Sequence, residues 1–443
     1  MRDLKRFLTM VTAFLLAVGM IVPVSAADEE SPIDLYSKYA YAFDTSTDQV
    51  LVNKRGTEKM YPASMTKIMT CLVAIDNIDD LDTKVTVLDT DVGDRWLEAN
   101  AMVCYFEAGE VITYRDLLYG ALFKSGADAC FILARTLFGG EEEMAEAMND
   151  KAEELNLDNT HFTNVTGLHD EDHYTTCKDM AIILQNAYAN KTFKKIFTDD
   201  AYRTSDGYLL FQPLLARQKE RYGLEAKYLI AMKSGVTNEA KSCLASVATA
   251  QGRTVIIVTG YATKNALGEE NAKSGVAFRD AVNLSDYFNE SMHLVKIAED
   301  DEVVKKYYVL YSDVPEYKQT AQTDVEVFAD DSYEEEDLKR VVDDDRLLPI
   351  LTAPMDKGQT IGTLILKTKD GAVLAKSPLT TTRALKFSNK RYMITMAIFI
   401  LVGLLVFLII WKILIHINVV HKRRKRRRQM RREAKRRARR RRR

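Results

Sequence analysis

The stretch Met60-Tyr61-Pro62-Ala63-Ser64-Met65-Thr66-Lys67-Ile68-Met69 places a hydroxyl and an amine three residues apart. Residues at that spacing share one face of a helix, so a neutral Lys67 amine can accept the Ser64 proton while Ser64 attacks a carbonyl carbon. Pro62 and Ala63 are expected to lead into the helix, which places Ser64 in its first turn. Free backbone N–H groups and the positive end of the helix dipole favour an oxyanion there. The stretch therefore predicts a serine nucleophile activated by a lysine.

A second motif, Ser125-Gly126-Ala127-Asp128, lies between two apolar helix patterns. The first pattern covers residues 117–122, and the second runs over residues 129–137 until Gly139-Gly140 ends it. A serine on such a tight loop between helices can point into a cleft.

A third motif, Lys233-Ser234-Gly235, is expected at the end of a strand formed by residues 228–232. Strand-like runs follow it at residues 243–247 and 254–258. A lysine, a hydroxyl and a glycine at a strand end provide a carboxylate site, and the glycine leaves room for a substrate backbone to pair alongside.

These three motifs together are typical of penicillin-binding proteins and serine β-lactamases. From about Tyr36 to about Arg383, the chain resembles the low-molecular-mass penicillin-binding proteins of the serine D-alanyl-D-alanine carboxypeptidase family. Two further segments carry the resemblance. The first is Phe162-Thr163-Asn164-Val165-Thr166-Gly167-Leu168-His169-Asp170 with His173-Tyr174-Thr175-Thr176, between the second and third motifs. The second, Ala353-Pro354-Met355-Asp356-Lys357-Gly358-Gln359-Thr360-Ile361-Gly362, is similar to the small β domain of this family.

The resemblance implies an α/β fold in which a five-stranded antiparallel sheet is flanked by helices. The active cleft is then expected between the sheet and a helical lobe, followed by a small all-β domain and one C-terminal transmembrane helix. The residue patterns agree with this fold. Residues 38–43 and 49–53 read as a hairpin, helical patterns dominate from 64 to about 189, and strands return near 228.

The family's mechanism, carried onto the matching residues, makes Lys67 the general base and Ser64 the nucleophile. The bond attacked joins the two terminal D-alanines of a peptidoglycan stem pentapeptide. Ser125 relays a proton to the leaving amine, backbone N–H groups hold the oxyanion, and Lys233-Ser234-Gly235 binds the terminal carboxylate. The resemblance also implies β-lactam antibiotics as covalent inhibitors, and it requires no metal or organic cofactor.

One position departs from the family pattern. The second motif usually reads Ser-x-Asn, whereas this chain has Ala127 at the third position. No side-chain amide is then available to hold Lys67 or the substrate carbonyl, and losing such a donor costs on the order of 1–3 kcal/mol. Asp128 is shifted by one residue. Either water or another side chain takes the role, or activity is reduced.

Three alternative functions remain open at the level of sequence. Ala127 is compatible with a weakened or non-catalytic protein that binds stem peptides or scaffolds wall enzymes, although the other motif residues are intact. A serine β-lactamase shares two motifs, but it deacylates with the glutamate of a Glu-x-x-Leu-Asn loop, and here Ala152 precedes Leu155-Asn156. A transpeptidase differs only in passing the acyl group to an amine instead of water.

Histidines and cysteines provide little evidence for a metal site. His169 and His173 with Asp170 and Asp172 resemble a zinc cluster, but that spacing needs a helix and Gly167 favours a turn-rich loop. The five cysteines contain no C-x-x-C pair. We expect Cys71, Cys130 and Cys243 to be small core residues. An extracellular location would permit disulfides, but their pairing does not follow from the sequence.

The two ends of the chain predict its location. Residues 1–27 contain a basic start, an apolar run and Ser25-Ala26-Ala27, which is typical of a secretory signal peptide. Residues 393–411 lack any charge and are long enough to cross a membrane. After them, residues 421–443 contain 17 Lys or Arg and one Glu, so that this tail has a net charge of +16. The positive-inside rule places the tail in the cytoplasm and the catalytic part outside the cell membrane.

The polybasic tail is expected to bind anionic lipids, with RNA the less favoured partner. Because the whole chain has a formal charge of −1, the rest of it carries −17. The predicted domains are a signal peptide (1–27), a catalytic domain (28–290), a small β domain or stalk (291–385), a transmembrane helix (392–417) and the tail (418–443). A charge run at residues 330–337 is expected to be a solvated loop.

Overall fold

The computed structural model describes residues 31–263, 275–321, 324–333, 335–344, 346, 348–369, 371 and 373–440. The predicted signal peptide, residues 1–27, lies outside the described residues.

Helices of the described segments lie mostly between the first two strands and the third motif. The α-helices are α1 (Lys67–Asp76), α2 (Asp94–Glu98), α3 (Tyr114–Tyr119), α4 (Ala127–Phe138), α5 (Glu141–Glu154), α6 (Cys177–Ala189), α7 (Lys191–Thr198), α8 (Leu214–Tyr222), α9 (Val276–Glu290) and α10 (Asn389–Arg440). Ala63–Thr66 and Glu335–Asp337 are 3₁₀ turns, and Gly120–Lys124 is a π-helical turn.

Strands occur before the helical region, as short pairs within it, and after it. They are β1 (Ser37–Asp44), β2 (Val50–Lys54), β3 (Lys84–Thr86), β4 (Val111–Thr113), β5 (Tyr202–Arg203), β6 (Leu210–Phe211), β7 (Leu229–Thr237), β8 (Lys241–Ala250), β9 (Arg253–Ala262), β10 (Met292–Ala298), β11 (Val303–Leu310), β12 (Glu316–Thr320), β13 (Val325–Asp330), β14 (Leu338–Asp343), β15 (Ile350–Thr352), β16 (Thr360–Thr368) and β17 (Val373–Thr380).

The main sheet has five antiparallel strands in the order β2-β1-β9-β8-β7. This confirms the antiparallel sheet that the family resemblance implied. The predicted hairpin is formed by β1 and β2, whose register shifts between Ala42 and Phe43. Because β1 pairs with β9, the N-terminal hairpin completes a sheet whose other strands come from much later in the chain.

Alternation along the strands explains why helices cover both faces of the sheet. In β1, Tyr41 and Phe43 belong to the core shared with the helical lobe, while Ala40 and Ala42 belong to a second core with α9. Successive side chains of a strand point to opposite faces, so a strand that is apolar throughout needs a cover on each side. The lobe of α1, α4, α5 and α6 covers one face, and α9 covers the other.

The chain divides into two compact units. Unit 1 contains the described part of Met1–Val295 together with Glu326–Lys339 and Leu366–Ser377. Unit 2 contains Lys296–Val325, Arg340–Ile365 and the described part of Pro378–Arg443. Within unit 2, β12, β11 and β15 form a three-stranded sheet around the buried Tyr307 and Tyr317. From Met292 to Thr380 the described chain forms mainly short strands, β10 to β17, which agrees with the small all-β domain that the resemblance implied.

Helix α10 is long and apolar over its first half. Asn389–His416, 28 residues, is long and apolar enough to cross a membrane by length and composition, and its side chains are not buried in the protein. At ~1.5 Å per residue it spans about 42 Å, more than the ~30 Å hydrocarbon core. The backbone helix continues to Arg440, into the basic tail.

All five cysteines are buried and free. The predicted core positions of Cys71, Cys130 and Cys243 are confirmed, since each belongs to the core on the lobe side of the sheet. Burial raises the pKa of Cys130 and Cys243 to about 11, which keeps both thiols protonated at neutral pH.

Candidate active site

Ser64 lies on the 3₁₀ turn Ala63–Thr66, which leads directly into α1. The prediction that Ser64 occupies the first turn of an α-helix was wrong in geometry, because the α-helix begins only at Lys67. Ala63 has a φ of +47°, in the left-handed region. That conformation costs about 1–2 kcal/mol for a residue with a Cβ, and it persists only where surrounding structure holds it.

Two glycines from distant segments hold this turn. A Cβ on Gly167 would lie 1.9 Å from the carbonyl oxygen of Ala63, and one on Gly235 would lie 2.8 Å from the backbone nitrogen of Ser64. Only glycine permits an approach this close, so these two segments fix the position of Ser64 through backbone contact.

We expect Gly167→Ala to reduce acylation of the protein by benzylpenicillin about 100-fold, because the new methyl group displaces the turn and a shift of ~1 Å costs about that much. The matched control is Gly207→Ala. Gly207 has nearly the same φ, +83° against +79°, but no atom lies within 4 Å of the place its new methyl group would take. Both variants therefore carry the same backbone strain, and only the first carries the clash. Equal acylation rates in the two variants, measured by intact mass against time, would contradict the assignment.

Lys67 follows Ser64 by three residues and lies beside it. Its Nζ is 3.1 Å from Ser64 Oγ, and the side chain is 2% exposed. Burial lowers the pKa of Lys67 below that of an ordinary lysine, because an ammonium loses its hydration there. The geometry therefore pairs a hydroxyl with an amine that is biased toward its neutral form, as a general base requires.

The amine of Lys67 is oriented by the segment that includes Asn164 and Thr166. Nζ donates to the carbonyl oxygen of Thr166 over 2.5 Å. Asn164 Oδ1 accepts hydrogen bonds from the backbone nitrogens of Thr166 (3.1 Å) and Gly167 (2.8 Å), which shapes this loop. The sequence had marked the segment only by resemblance. In the structure this segment contacts both Lys67 and the turn Ala63–Thr66.

His173 is a buried structural residue. Its Nε2 lies 2.8 Å from Thr66 Oγ1, and its Nδ1 accepts from the backbone nitrogen of Thr163 over 3.1 Å. Burial lowers the pKa of His173 to about 4, so the ring is neutral at physiological pH. Both ring nitrogens are thus occupied by hydrogen bonds, which speaks against the zinc alternative. Across the described residues no three His, Cys, Asp or Glu side chains group as metal ligands.

Ser125 and Lys233 meet across the cleft. Ser125 lies between the turn Gly120–Lys124 and α4, with a φ of +61°, and this confirms the predicted tight loop. Lys233 Nζ donates to Ser125 Oγ over 2.8 Å and to the carbonyl oxygen of Ser234 over 3.1 Å. Burial, and then the positive charge of Lys67, lower the pKa of Lys233 well below its usual range. The structure thus joins four of the six predicted site residues in two hydrogen-bonded pairs, Ser64 with Lys67 and Ser125 with Lys233. Of the other two, Ser234 accepts through its carbonyl oxygen from Lys233, and Gly235 lies against the turn that carries Ser64.

The third motif lies inside β7 and not at the end of a strand, so that part of the prediction was wrong. Lys233 pairs with Ala245 and Gly235 with Cys243, and the pairing continues to Thr237. A buried, functional lysine resembles a strand end in a sequence because it interrupts an apolar run. Since β7 is the outermost strand of the sheet, the other side of its backbone is available for an extended peptide.

Asp128 does not replace the Asn that is usual at the third position of the second motif. Ala127 is fully buried, and its backbone nitrogen donates to the carbonyl oxygen of Met102 over 2.7 Å. The carboxylate of Asp128, 1% exposed, accepts from the backbone nitrogen of Cys104 at 2.9 Å and from that of Ala129. Asp128 therefore anchors the neighbouring loop and does not supply the missing amide. In the described structure, the hydrogen bond from Lys67 to Thr166 orients the base instead.

Arg217 is a site residue that the sequence did not reveal. It lies on α8 and donates to the carbonyl oxygen of Phe123, two residues before Ser125. Its positive charge is close enough to lower the pKa of Lys233, and its buried Nε has no partner among the described atoms. An arginine without a motif around it gives no signal in a single sequence. Its position beside Lys233 adds positive potential where a carboxylate is expected.

Two family models match the chain. The model described as D-alanyl-D-alanine carboxypeptidase matches residues 25–263. The model described as the C-terminal domain of penicillin-binding protein 5 matches residues 293–386.

Individual relatives and solved structures agree with these two family matches. The D-alanyl-D-alanine carboxypeptidase DacF of Bacillus subtilis (strain 168) is 30% identical over 359 residues, which are 79% of this chain and 86% of that protein. The crystal structure of penicillin binding protein 5 from Haemophilus influenzae superposes with a TM-score of 0.63 at 22% identity, covering 80% of this chain and 99% of that one. A point mutant of the Streptomyces K15 DD-transpeptidase gives a TM-score of 0.51 at 27% identity, over 58% of this chain and 98% of that one.

Proposed function

We propose, since this chain belongs to the D-alanyl-D-alanine carboxypeptidase family, that it removes the terminal D-alanine from peptidoglycan stem pentapeptides through an acyl-enzyme on Ser64. The family consists of serine hydrolases, acts on peptidoglycan peptides and binds β-lactams. One observation supports the residue assignment above all others. The amine of Lys67, whose pKa burial lowers, lies 3.1 Å from the Ser64 hydroxyl, beside β7, the edge strand of the described sheet.

Substrate binding uses β7 and the positive groups near it. An extended stem peptide pairs with the free edge of β7, and its terminal carboxylate meets Lys233 and the hydroxyl of Ser234. Gly235 allows β7 to lie against the nucleophile turn, so the bound peptide bond comes next to Ser64. A carboxylate at Lys233 favours the charged form of that amine, and the charge in turn favours a neutral Lys67. Binding of the correct substrate thereby prepares the base.

Chemistry then proceeds through the two linked pairs of side chains. Lys67 takes the proton of Ser64 as Oγ attacks the carbonyl between the two D-alanines, and the backbone N–H of Ser64 is placed to donate to the oxyanion. Ser125, hydrogen-bonded to Lys233, receives the proton that Lys67 took from Ser64 and gives its own proton to the departing amine of D-alanine, so Lys67 is neutral again. Water, activated by the same base, then hydrolyses the ester. The amino acid released and the shortened peptide account for all atoms.

The rate of acylation is expected to rise with pH and to level off at a pH below the ~10.4 of a free lysine. The neutral amine is the active form, so a lowered pKa of Lys67 moves the rise toward lower pH. Penicilloylation rates measured by mass spectrometry between about pH 5 and about pH 10, a range that brackets the lysine titration, test this. A rate that is still rising in proportion to hydroxide at the upper end of that range would contradict a depressed Lys67 pKa.

The domain boundaries and the membrane topology are part of the proposal. The catalytic domain comprises residues 28–290, the small β domain 291–385, the membrane helix 392–417 and the basic tail 418–443, after a signal peptide of residues 1–27. The apolar part of α10 supports one membrane crossing, with the catalytic domain outside the cell and the tail on anionic lipids in the cytoplasm.

A transpeptidase activity is the second candidate, and it is favoured by the similarity to the Streptomyces K15 DD-transpeptidase. A weakened, binding-only protein is the third, and its basis is Ala127 without a substitute amide. The transpeptidase keeps Ser64 as the acylated residue and differs only in the fate of the acyl group, whereas a binding-only protein holds the stem peptide without releasing D-alanine.

The full chain in detergent, incubated with benzylpenicillin and separately with diacetyl-Lys-D-Ala-D-Ala, tests the proposal. We expect a penicilloyl adduct on Ser64 by peptide mass mapping, and release of D-alanine from the peptide. An adduct with no D-alanine released would favour binding alone, and transfer to added glycine would favour a transpeptidase. Rapid loss of the adduct with hydrolysed drug would indicate a β-lactamase, and no adduct at all would refute the serine mechanism.

A further inference from the structure

A second cavity lies in unit 1 beside β2, at the opposite edge of the main sheet from β7. It has a volume of about 560 Å³, within the range of roughly 300–1,000 Å³ typical of small-molecule sites. Four strand spacings of ~4.8 Å separate the two sheet edges, so it is about 20 Å from the third motif. We call it the β2-edge groove and define it by Leu51, Tyr287, Asp330, Ser332, Tyr333 and Leu374, which line it.

The lining combines aromatic and aliphatic side chains with a few hydrogen-bonding groups. Tyr287 and Tyr333 are half-buried, and the hydroxyl of Tyr287 donates to the carboxylate of Asp330. The other carboxylate oxygen accepts from the backbone nitrogen of Ser332 over 2.8 Å. The aromatic and aliphatic side chains suit the apolar side of a ligand, and the hydrogen-bonding groups suit hydroxyls along its rim.

The charge of the groove excludes several ligand classes. Burial alone would raise the pKa of Asp330, but hydrogen bonds from Ser332 and Tyr287 outweigh it and lower the pKa, so the group is ionised. Among the described residues lining the groove, none is a lysine or an arginine. A phosphate or a free carboxylate would be repelled by the negative charge of Asp330. The groove therefore favours a neutral ligand that donates hydrogen bonds.

An added peptide strand is disfavoured because the protein's own chain occupies the start of the β2 edge. Gln49, just before β2, donates through Nε2 to the carbonyl oxygens of Phe328 (2.8 Å) and Leu374 (3.2 Å). Its Oε1 accepts from the backbone nitrogen of Phe328 over 2.7 Å. These contacts take the place where an incoming strand would begin to pair.

We propose that the β2-edge groove binds a neutral N-acetylated amino-sugar disaccharide of the kind that forms the glycan strands of the cell wall. The carbon–hydrogen face of a pyranose packs on Tyr287 and Tyr333, its hydroxyls donate to Asp330, and an acetyl methyl group contacts Leu51 and Leu374. The inference that the disaccharide comes from cell-wall glycan rests on the proposed function. The inference that such a disaccharide fits the groove rests on the lining residues alone. A glycan held here raises the local concentration of stem peptides at the cleft, as any second point of attachment does.

The test is binding of N,N′-diacetylchitobiose to the full chain in a detergent that carries no sugar. Calorimetry and saturation-transfer NMR measure this binding. We compare the unmodified protein with Tyr333→Ala, Tyr333→Phe and Asp330→Asn. The matched control is Tyr308→Ala, which removes a tyrosine that is 64% exposed on β11 and lies outside the groove. Lactose, which lacks acetyl groups, is the control sugar, and the rate of penicilloylation reports on the integrity of the active site.

We expect saturable binding to the unmodified protein, to Tyr308→Ala and to Tyr333→Phe, and at least tenfold weaker binding to Tyr333→Ala and Asp330→Asn. Penicilloylation should be equal in all five proteins, so a failed active site and a failed groove are distinguishable. No binding to the unmodified protein would overturn the proposal. The same conclusion would follow from equal affinity in Tyr333→Ala, or from equal affinity for lactose.

Discussion

Ser64→Ala is expected to abolish covalent capture of benzylpenicillin and to lower D-alanine release by at least roughly 10³-fold, since loss of the nucleophile in a serine hydrolase costs that much or more. Ser64 is only half-buried, and the described hydrogen bond to its hydroxyl comes from Lys67. Its removal is therefore expected to change the free energy of unfolding by no more than about 1 kcal/mol. Intact mass and thermal unfolding of the same sample measure both quantities.

Ser46→Ala is the control for this experiment. Ser46 is also a serine in a turn, and its hydroxyl donates to the carboxylate of Asp44 in the connection between β1 and β2. That variant should be acylated at the rate of the unmodified protein. A penicilloyl adduct that persists in Ser64→Ala would show that another residue is the nucleophile, and peptide mapping would identify it.

The proximity of Ser64 to Lys67 and the N-terminal hairpin could be predicted because each has a local signal. Ser64 and Lys67 are three residues apart, so their proximity follows from helical geometry whether the turn is 3₁₀ or α. The hairpin of β1 and β2 follows from two apolar runs with a polar turn between them. The five-stranded antiparallel sheet was expected from the family resemblance alone, because the pairing of β1 with β9 joins residues that no local pattern connects.

Features that the sequence did not reveal depend on contacts between distant segments. The approach of Gly167 and Gly235 to the nucleophile turn is visible only when three parts of the chain meet. The extent of β7 was underestimated because Lys233, 1% exposed, is polar by type and buried by function. Arg217 carries no motif and acquires meaning only from its position near Lys233.

Lys67→Met is expected to reduce acylation about 10²–10⁴-fold while the protein stays folded, because loss of a general base typically lowers a rate by that factor. Methionine is also unbranched and fills the buried position of a side chain that is 2% exposed. Removing a buried amine relieves its desolvation, but the carbonyl of Thr166 loses its donor at a cost of about 1–3 kcal/mol. The two effects oppose each other, so we expect the free energy of unfolding to change by less than about 2 kcal/mol. The control, Lys59→Met, removes an exposed lysine whose Nζ lies 3.7 Å from the ring centre of Tyr174, and it should leave acylation unchanged.

Lys67→Arg separates a base from a fixed positive charge. A guanidinium remains protonated at any accessible pH, so it cannot accept the Ser64 proton, but it would still stabilise negative charge near the hydroxyl. If Lys67 acts as the base, Arg and Met variants lose acylation to a similar extent, and only the Arg variant is strongly destabilised by its buried charge. If Lys67 acts instead as a charged group, the Arg variant keeps a substantial part of the rate that the Met variant loses. Rates of penicilloylation and unfolding curves for the two variants therefore decide which protonation state of Lys67 does the chemistry.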